Sequence, residues 1–272
     1  MEGYTPEHLK TPCIEKLTMT NPVDSPLLLF VFCLVLLWLA AWAGDYLRRR
    51  RRQEEAERED LGVIVGAVLT LLGLIIGFSF SMAVSRYDQR KNLEEGEANA
   101  IGTEYLRAGL FPSADAAKVR ALLQSYLDQR TLFYTTRGEL RLAQINAQTA
   151  QLQSDLWSAV QAPAAAQPTQ LAALAVAGMN DVLNSQGYTQ AAWLNRIPGP
   201  AWCLLIAIAI CCNLLVGYSA RSIGTRRRRL IILPLIVAVA FFMIADLDAP
   251  RSGIIMVSPQ NLINLSKSLG SQ

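Results

Sequence analysis

Residues 26–84 read PLLLFVFCLVLLWLAAWAGDYLRRRRRQEEAEREDLGVIVGAVLTLLGLIIGFSFSMAV: two apolar runs, 26–43 and 61–84, joined by a charged gap that opens with Arg48, Arg49, Arg50, Arg51 and Arg52. The arrangement returns near the other end of the chain, where runs 201–217 and 230–247 flank Arg226, Arg227, Arg228 and Arg229. A hydrocarbon core about 30 Å thick needs roughly 20 helical residues, with about 17 as a lower limit, so all four runs can cross it. None contains Lys or Arg. A Leu, Ile, Phe or Val at a helix centre contributes about −0.3 to −0.6 kcal/mol to insertion and a central charge costs about +2.5 to +3.5, so these runs insert unaided. Asp246 is the one carboxylate inside a run, and it lies at the end. The pattern predicts an all-α integral membrane protein with four transmembrane helices, arranged as two hairpins, and a helical domain between spans 2 and 3.

Composition agrees. At 52% hydrophobic and 17% charged residues, with a mean hydropathy of +0.25, the chain is too apolar for an ordinary soluble domain. The first run starts too far in, behind acidic residues, to be a cleaved signal peptide. Residues 1–25 read as a loose tail, with Met19 an alternative start.

The short loops hold the denser basic charge, Arg48 to Arg52, Arg58, Arg221 and Arg226 to Arg229. On the other side Lys10, Lys16, Arg86, Arg90, Lys91, Arg196, Arg251 and Lys267 are spread over longer segments. The positive-inside rule therefore puts the hairpin loops in the cytoplasm, with the termini and the central domain outside. The arginine runs, set between spans and acidic residues, suit anionic lipid headgroups better than nucleic acid.

Residues 85–199 are polar and read as one helical domain between the hairpins, residues 26–84 and 200–247. The second span has no Pro to stop it at the membrane and is expected to continue past Arg86 until Leu110-Phe111-Pro112 breaks it. Ser113 is the expected N-cap of the next helix and Gly138 its end. Leu142, Ile145, Thr149, Leu152, Leu156 and Val160 give a helix with a three-four spacing. Residues 162–168 read as a hinge, a last helix runs through Leu171 to Leu183, and residues 248–272 read as a tail.

Chemistry-bearing motifs are absent. The one histidine, His8, is in the tail, and four of the five cysteines, Cys33, Cys203, Cys211 and Cys212, lie in spans while Cys13 has no tail partner, so no metal site, cofactor or disulfide framework is expected. Glu94, Glu95, Glu97 and Glu104 could be paired carboxylates but read better as a solvated helix face. No catalytic residue is assigned, and the chain is read as a non-enzyme.

The second span carries the remaining signal. Gly62, Gly66, Thr70, Gly73, Gly77 and Ser81 place small residues mostly at four-residue steps. Such a stripe serves close helix packing, here through Gly66, Gly73, Gly77 and Ser81, or a pore-lining, oligomer-forming face. The segment Gly77-Phe78-Ser79-Phe80-Ser81-Met82-Ala83-Val84-Ser85-Arg86-Tyr87 resembles the bestrophin segment in which a pore-lining helix passes a Gly-Phe pair and leaves the membrane at Val-x-Arg-aromatic. With the Arg86-Tyr87-Asp88-Gln89-Arg90 segment, residues 94–103 and residues 245–253, most of the chain resembles the bacterial bestrophin-like family. Bestrophins are pentameric anion channels with an apolar neck at i, i+4 and i+8 of the second helix. The resemblance implies Thr70, Leu74 and Phe78 as pore-lining residues, with Thr70 departing from the apolar pattern. Where bestrophins carry a calcium-binding acidic run this chain has only Asp246 and Asp248, so the resemblance does not extend to calcium gating. Bestrophins keep the central domain in the cytoplasm, opposite to what the arginines indicate.

Spans 2 and 4 should end at one surface, so Arg86, Asp88, Asp246, Asp248 and Arg251 are expected to form a salt-bridge cluster there. Two functions compete: an oligomeric transport protein, with a bestrophin-like anion channel first, and a non-conducting membrane protein whose helical domain binds or senses a partner.

Overall fold

A computed structural model describes residues 25–50, 55–219 and 223–270, with side chains at 55–60 and 223–230 outside the description. His8, Lys10, Cys13, Lys16, Met19, Arg51, Arg52, Arg221 and the side chains of Arg58 and Arg226 to Arg229 therefore lie outside the described residues. The helices are α1 (Pro26–Arg50), α2 (Glu55–Arg107), α3 (Ser113–Thr135), α4 (Glu139–Ala166), α5 (Gln170–Leu194), α6 (Gly199–Tyr218), α7 (Ile223–Asp248) and α8 (Gln260–Gly270). Four helical segments are long and apolar enough to cross a membrane, and they fall in α1, α2, α6 and α7.

Two cores are stacked along α2. The membrane core joins α1, the first half of α2, α6 and α7 around Leu37, Ala83, Trp202, Ala209 and Phe241. The second core joins the far half of α2 to α3, α4, α5 and α8 around Ile101, Leu123, Tyr126, Ile145, Leu156 and Val182. Tyr87 packs against both. With 53 residues, α2 is a continuous rod about 80 Å long at 1.5 Å per residue, so any rotation of one core about α2 is felt by the other.

The principal neighbours of α1 are α6 and α7, and α2 is not among them. A Cβ on Gly44 would lie 2.0 Å from the Leu214 carbonyl oxygen, and one on Gly217 would lie 2.0 Å from that of Ala41. The α1 and α6 backbones therefore touch, which only glycine allows at these two points. At this end of α1, buried Asp45 pairs with Arg48 at 3.2 Å and Arg49 at 3.1 Å. Arg50 lies over the Tyr46 ring at 4.8 Å, and Tyr46 stacks on Trp42. Part of the first arginine cluster is thus engaged by its own helix beside an aromatic pair of the kind that marks a membrane interface.

Several boundaries differ from the sequence reading. Pro112 occupies the α3 N-cap position without a side-chain cap bond, and Ser113 is already helical. Gly138 is the N-cap of α4 rather than the end of α3. Pro163 stays inside α4 and is buried, so the hinge shrinks to residues 167–169, where Thr169 caps α5 by accepting the Ala172 N–H. The region after Asp248 is more than a tail, because α8 packs against α2 and α3.

Candidate functional site

Within the membrane, α2 is the helix its own chain covers least. Of its most apolar window only 6% is buried, against 33%, 39% and 50% in the other three spans. Leu74 and Phe78 are 55% and 64% exposed, and Thr70 is exposed beside them. The Thr70 hydroxyl donates to the Gly66 carbonyl at 2.9 Å, so the group that broke the apolar pattern is engaged within its own helix. Nothing lies within 4 Å of where a Cβ on Gly66, Gly73 or Gly77 would be, and Ser81 is exposed. At about 100° per residue these seven positions share an arc of about 140°. The stripe packs against nothing in its own chain; the tight helix contact is at Gly44 and Gly217 instead.

The exit of α2 from the membrane core is built from directed polar contacts. Arg86 Nη1 lies 3.1 Å from Asp248 Oδ1, and both oxygens of Asp248 accept the Ile197 N–H, at 3.2 and 3.0 Å. Asp248 thereby ties α2 to the connection that enters α6. Asp246 accepts the N–H groups of Ile254 and Ile255 at 2.6 and 2.8 Å, closing the turn after α7. That turn needs Gly253, whose Cβ would fall 2.5 Å from the Asp246 carbonyl oxygen. Arg251 lies apart from these carboxylates, as its Nη1 donates to the Phe133 and Thr136 carbonyls at 2.8 Å each. Its guanidinium also stacks on the Phe133 and Trp193 rings. Asp88 is exposed and has no ion pair among the described residues. Of the five residues expected to cluster, Arg86 and Asp248 meet directly, Asp246 serves the adjacent turn, and Asp88 and Arg251 stand outside.

Arg90, read from sequence only as a near-membrane cation, sits at the centre of this girdle and is 1% exposed. It donates to the carbonyls of Leu247 at 3.0 Å and of Ala192, Asn195 and Asp248 at 3.3 Å each. These are the C-terminal carbonyls of α5 and α7, where a cation is favoured by both helix dipoles. Burial lowers its pKa, and the charge of Asp248 opposes the shift.

The acidic residues beyond the exit overturn the expectation of a solvated face. Glu94, Glu97 and Glu104 are buried; of the four only Glu95 is exposed. Glu94 accepts the N–H groups of Asn261 and Leu262, both at 3.0 Å, and the Asn261 amide at 2.7 Å, so it caps the N-terminus of α8. Glu97 forms a buried ion pair with Arg130 and also accepts the Tyr134 and Thr189 hydroxyls. Burial works against the Arg130 charge, yet Glu97 outweighs it and holds its pKa above the ordinary value. Burial raises the Tyr134 pKa, with Glu97 adding to the shift. Glu104 has neither oxygen hydrogen-bonded, and burial pushes its pKa up to about 8, with Arg107 opposing. Gly178 leaves the room it occupies, since a Cβ there would lie 2.1 Å from Glu104 Oε2.

Comparison with known structures agrees with this architecture. A bacterial bestrophin homolog from Klebsiella pneumoniae, solved by zinc phasing, superposes with a TM-score of 0.61 at 15% identity, over 89% of this chain and 97% of that one. A point mutant of the Klebsiella pneumoniae homolog gives 0.60 at 14% identity, over 88% and 99%. At these identities the likeness is one of fold. No curated protein matches the sequence. The bestrophin-like domain model matches residues 31–262, and the chain belongs to the bestrophin-like family.

Proposed function

We propose that this chain is an oligomeric membrane transport protein, a bestrophin-like anion channel in which copies of α2 surround a common axis. The observation that carries the reading is the uncovered face of α2. The exposed face of α1 carries Leu27, Leu28, Val31, Phe32 and Trp38, side chains that suit lipid. The exposed face of α2 also carries large apolar side chains, Val63, Leu74 and Phe78 among them, but sets glycines and Ser81 between them, which suit the close approach of another helix. The glycines lie at one side of the arc and Leu74 and Phe78 at the other, with Thr70 and Ser81 between them. Thr70, Leu74 and Phe78 face the axis as an apolar constriction, while Gly66, Gly73, Gly77 and Ser81 meet α2 of the neighbouring copy. In this reading spans 1 and 2 and spans 3 and 4 are consecutive antiparallel crossings, with α1 packed on α6 and α7 rather than on α2, the girdle of Arg86, Arg90 and Asp248 fixes the exit of α2, and the arginine loops face the cytoplasm and its anionic headgroups.

Purified protein in chloride-loaded liposomes tests the function. Anion flux that falls when Phe78 or Leu74 is changed to a charged residue is expected; a folded oligomer without flux across pH and calcium conditions would refute the channel and favour a partner-binding role. Protease access to residues 85–199 in intact spheroplasts tests orientation, and full protection would reverse it.

A further inference from the structure

Glu104 is the buried carboxylate that, among the described residues, has neither oxygen hydrogen-bonded, and it is enclosed where α5 crosses α2. A cation that could neutralise it stands close by. Arg107, one turn further along α2, is half-buried, and no ion pair joins the two. What separates them is the backbone of α5. A Cβ built on Gly178 would lie 2.1 Å from Glu104 Oε2 and 2.4 Å from Arg107 Nη1. Two atoms so near one point, yet beyond ion-pair reach of each other, lie on nearly opposite sides of it. An α-hydrogen of Gly178 therefore points into the gap between the carboxyl group and the guanidinium, a fit that only glycine allows.

A carboxyl group buried without a hydrogen bond keeps its proton, and burial pushes the Glu104 pKa up to about 8. Of the charges that act on it, Arg107 on its own helix favours ionisation and Asp181 on α5 opposes it. No charge of α3 or α8, the other helices on this half of α2, acts on it: Arg120 of α3 donates to the Tyr105 carbonyl, and Lys267 of α8 is exposed. The far end of α5 has a second anchor, since Arg90 donates to the carbonyls of Ala192 and Asn195. Glu104 to Arg90 on α2 and Gly178 to Ala192 on α5 are equal steps along the two helices, about 21 Å at 1.5 Å per residue. One anchor of the pair can therefore loosen while the other holds.

We propose that Gly178 and Glu104 form a proton-controlled latch between α5 and α2. With Glu104 protonated, α5 is seated and Gly178 keeps Arg107 away from the acid. When the proton leaves, Arg107 closes on the carboxylate and the first half of α5 is displaced by the roughly 1–2 Å that the pair needs, while the C-terminal end of α5 stays on Arg90. The displaced state binds one proton fewer, so rising pH favours it, by about tenfold in population per pH unit above about 8.

Hydrogen exchange read by mass spectrometry on the full-length protein in detergent, corrected for the intrinsic rate at each pH, tests the latch. Between pH 7 and pH 9.5 the amides of residues 172–182 should lose protection at least tenfold, while residues 145–160 in α4 and 189–194 at the far end of α5 should change by less than about threefold. Glu104→Gln should hold residues 172–182 at their pH 7 protection throughout. Arg107→Gln keeps the acid and removes the cation that favours its ionisation, so the loss of protection should move to higher pH; this arm stands if the Glu104 variant fails to fold. Constant protection in the wild-type chain, an equal fall in all three segments, or wild-type pH profiles in the two variants would each overturn the latch.

Discussion

Replacing Glu104 by Gln should remove a pH dependence of stability that the wild-type chain carries. Glu104 is fully buried, neither oxygen has a hydrogen-bond partner, and burial moves its pKa from 4.5 to about 8. The folded protein therefore keeps a proton that the unfolded chain releases near pH 4.5. Between these values the native state binds more protons than the unfolded state, so stability is greatest below about pH 4.5 and falls as pH rises toward 8. At about 1.4 kcal/mol per pKa unit the loss reaches about 5 kcal/mol, roughly 3 of it by pH 7. For a domain of this size that is roughly 10 °C or more in melting temperature. The window has little competition, because the one histidine of the chain is His8. Glu104→Gln imitates the protonated form. It should match wild type near pH 5 within about 1 kcal/mol and exceed it increasingly up to pH 8 or 9. Thermal melts in detergent at pH 5, 6, 7, 8 and 9 measure this. Parallel melting curves for the two proteins across the series would refute the burial argument.

Two further changes probe the packing. Gly217→Ala puts a Cβ 2.0 Å from the Ala41 carbonyl oxygen, which forces α1 and α6 apart at a cost of about 1–3 kcal/mol; Gly44→Ala forces the same separation, so in melts the double variant should lose less than the two singles combined. Arg90→Gln should cost about 3 kcal/mol or more by leaving the C-terminal carbonyls of α5 and α7 without their charged donor. Arg90→Lys should recover less than half of that melting temperature, because an ammonium cannot reproduce the fork that reaches four carbonyls.

The spans were legible because a bilayer demands about 20 apolar residues in a row, and no local contact can substitute for them. The break at Leu110-Phe111-Pro112 was legible for a similar reason, since the Pro ring acts on its immediate neighbours. What sequence could not give was the partner across the fold. Glu97 finds Arg130, Tyr134 and Thr189, and Glu94 finds the N-terminus of α8, all far along the chain. Read alone, those carboxylates look like a wet face. The small-residue stripe of α2 suggested the tight contact, yet the single glycines Gly44 and Gly217 make it within the chain. A sequence signal for the buried side did exist. Leu72, Ser79, Ala83, Arg90, Glu94, Glu97, Ile101, Glu104 and Ala108 are all buried, and about 3.6 residues per turn puts them on one stripe. Its polar lower half disguised it.

That stripe gives the exposed face of α2 its direction. Counted at about 100° per residue from Thr70, Arg90, Glu97 and Glu104 fall about 160–200° away, opposite Thr70, with Leu74 and Phe78 about 40° and 80° round from Thr70. Their anchors are specific: carbonyls of α5 and α7 for Arg90, and Arg130 for Glu97. In the proposed oligomer, the domain thus sets which side of the rod the membrane half turns toward the axis. Inserting one alanine between Asp88 and Gln89 should rotate Thr70, Leu74 and Phe78 by about 100° against those anchors, whereas inserting seven returns them to within about 20° while lengthening the rod by roughly 10 Å. The one-residue insertion should therefore abolish both the oligomer, measured by native mass spectrometry, and flux in liposomes, even though it lengthens the rod far less than the seven-residue insertion. The seven-residue insertion should keep the oligomer. If the single insertion left assembly and flux intact, or if both insertions failed alike, the rotational setting of α2 would not govern the shared face, and the axis would have to be built from another helix.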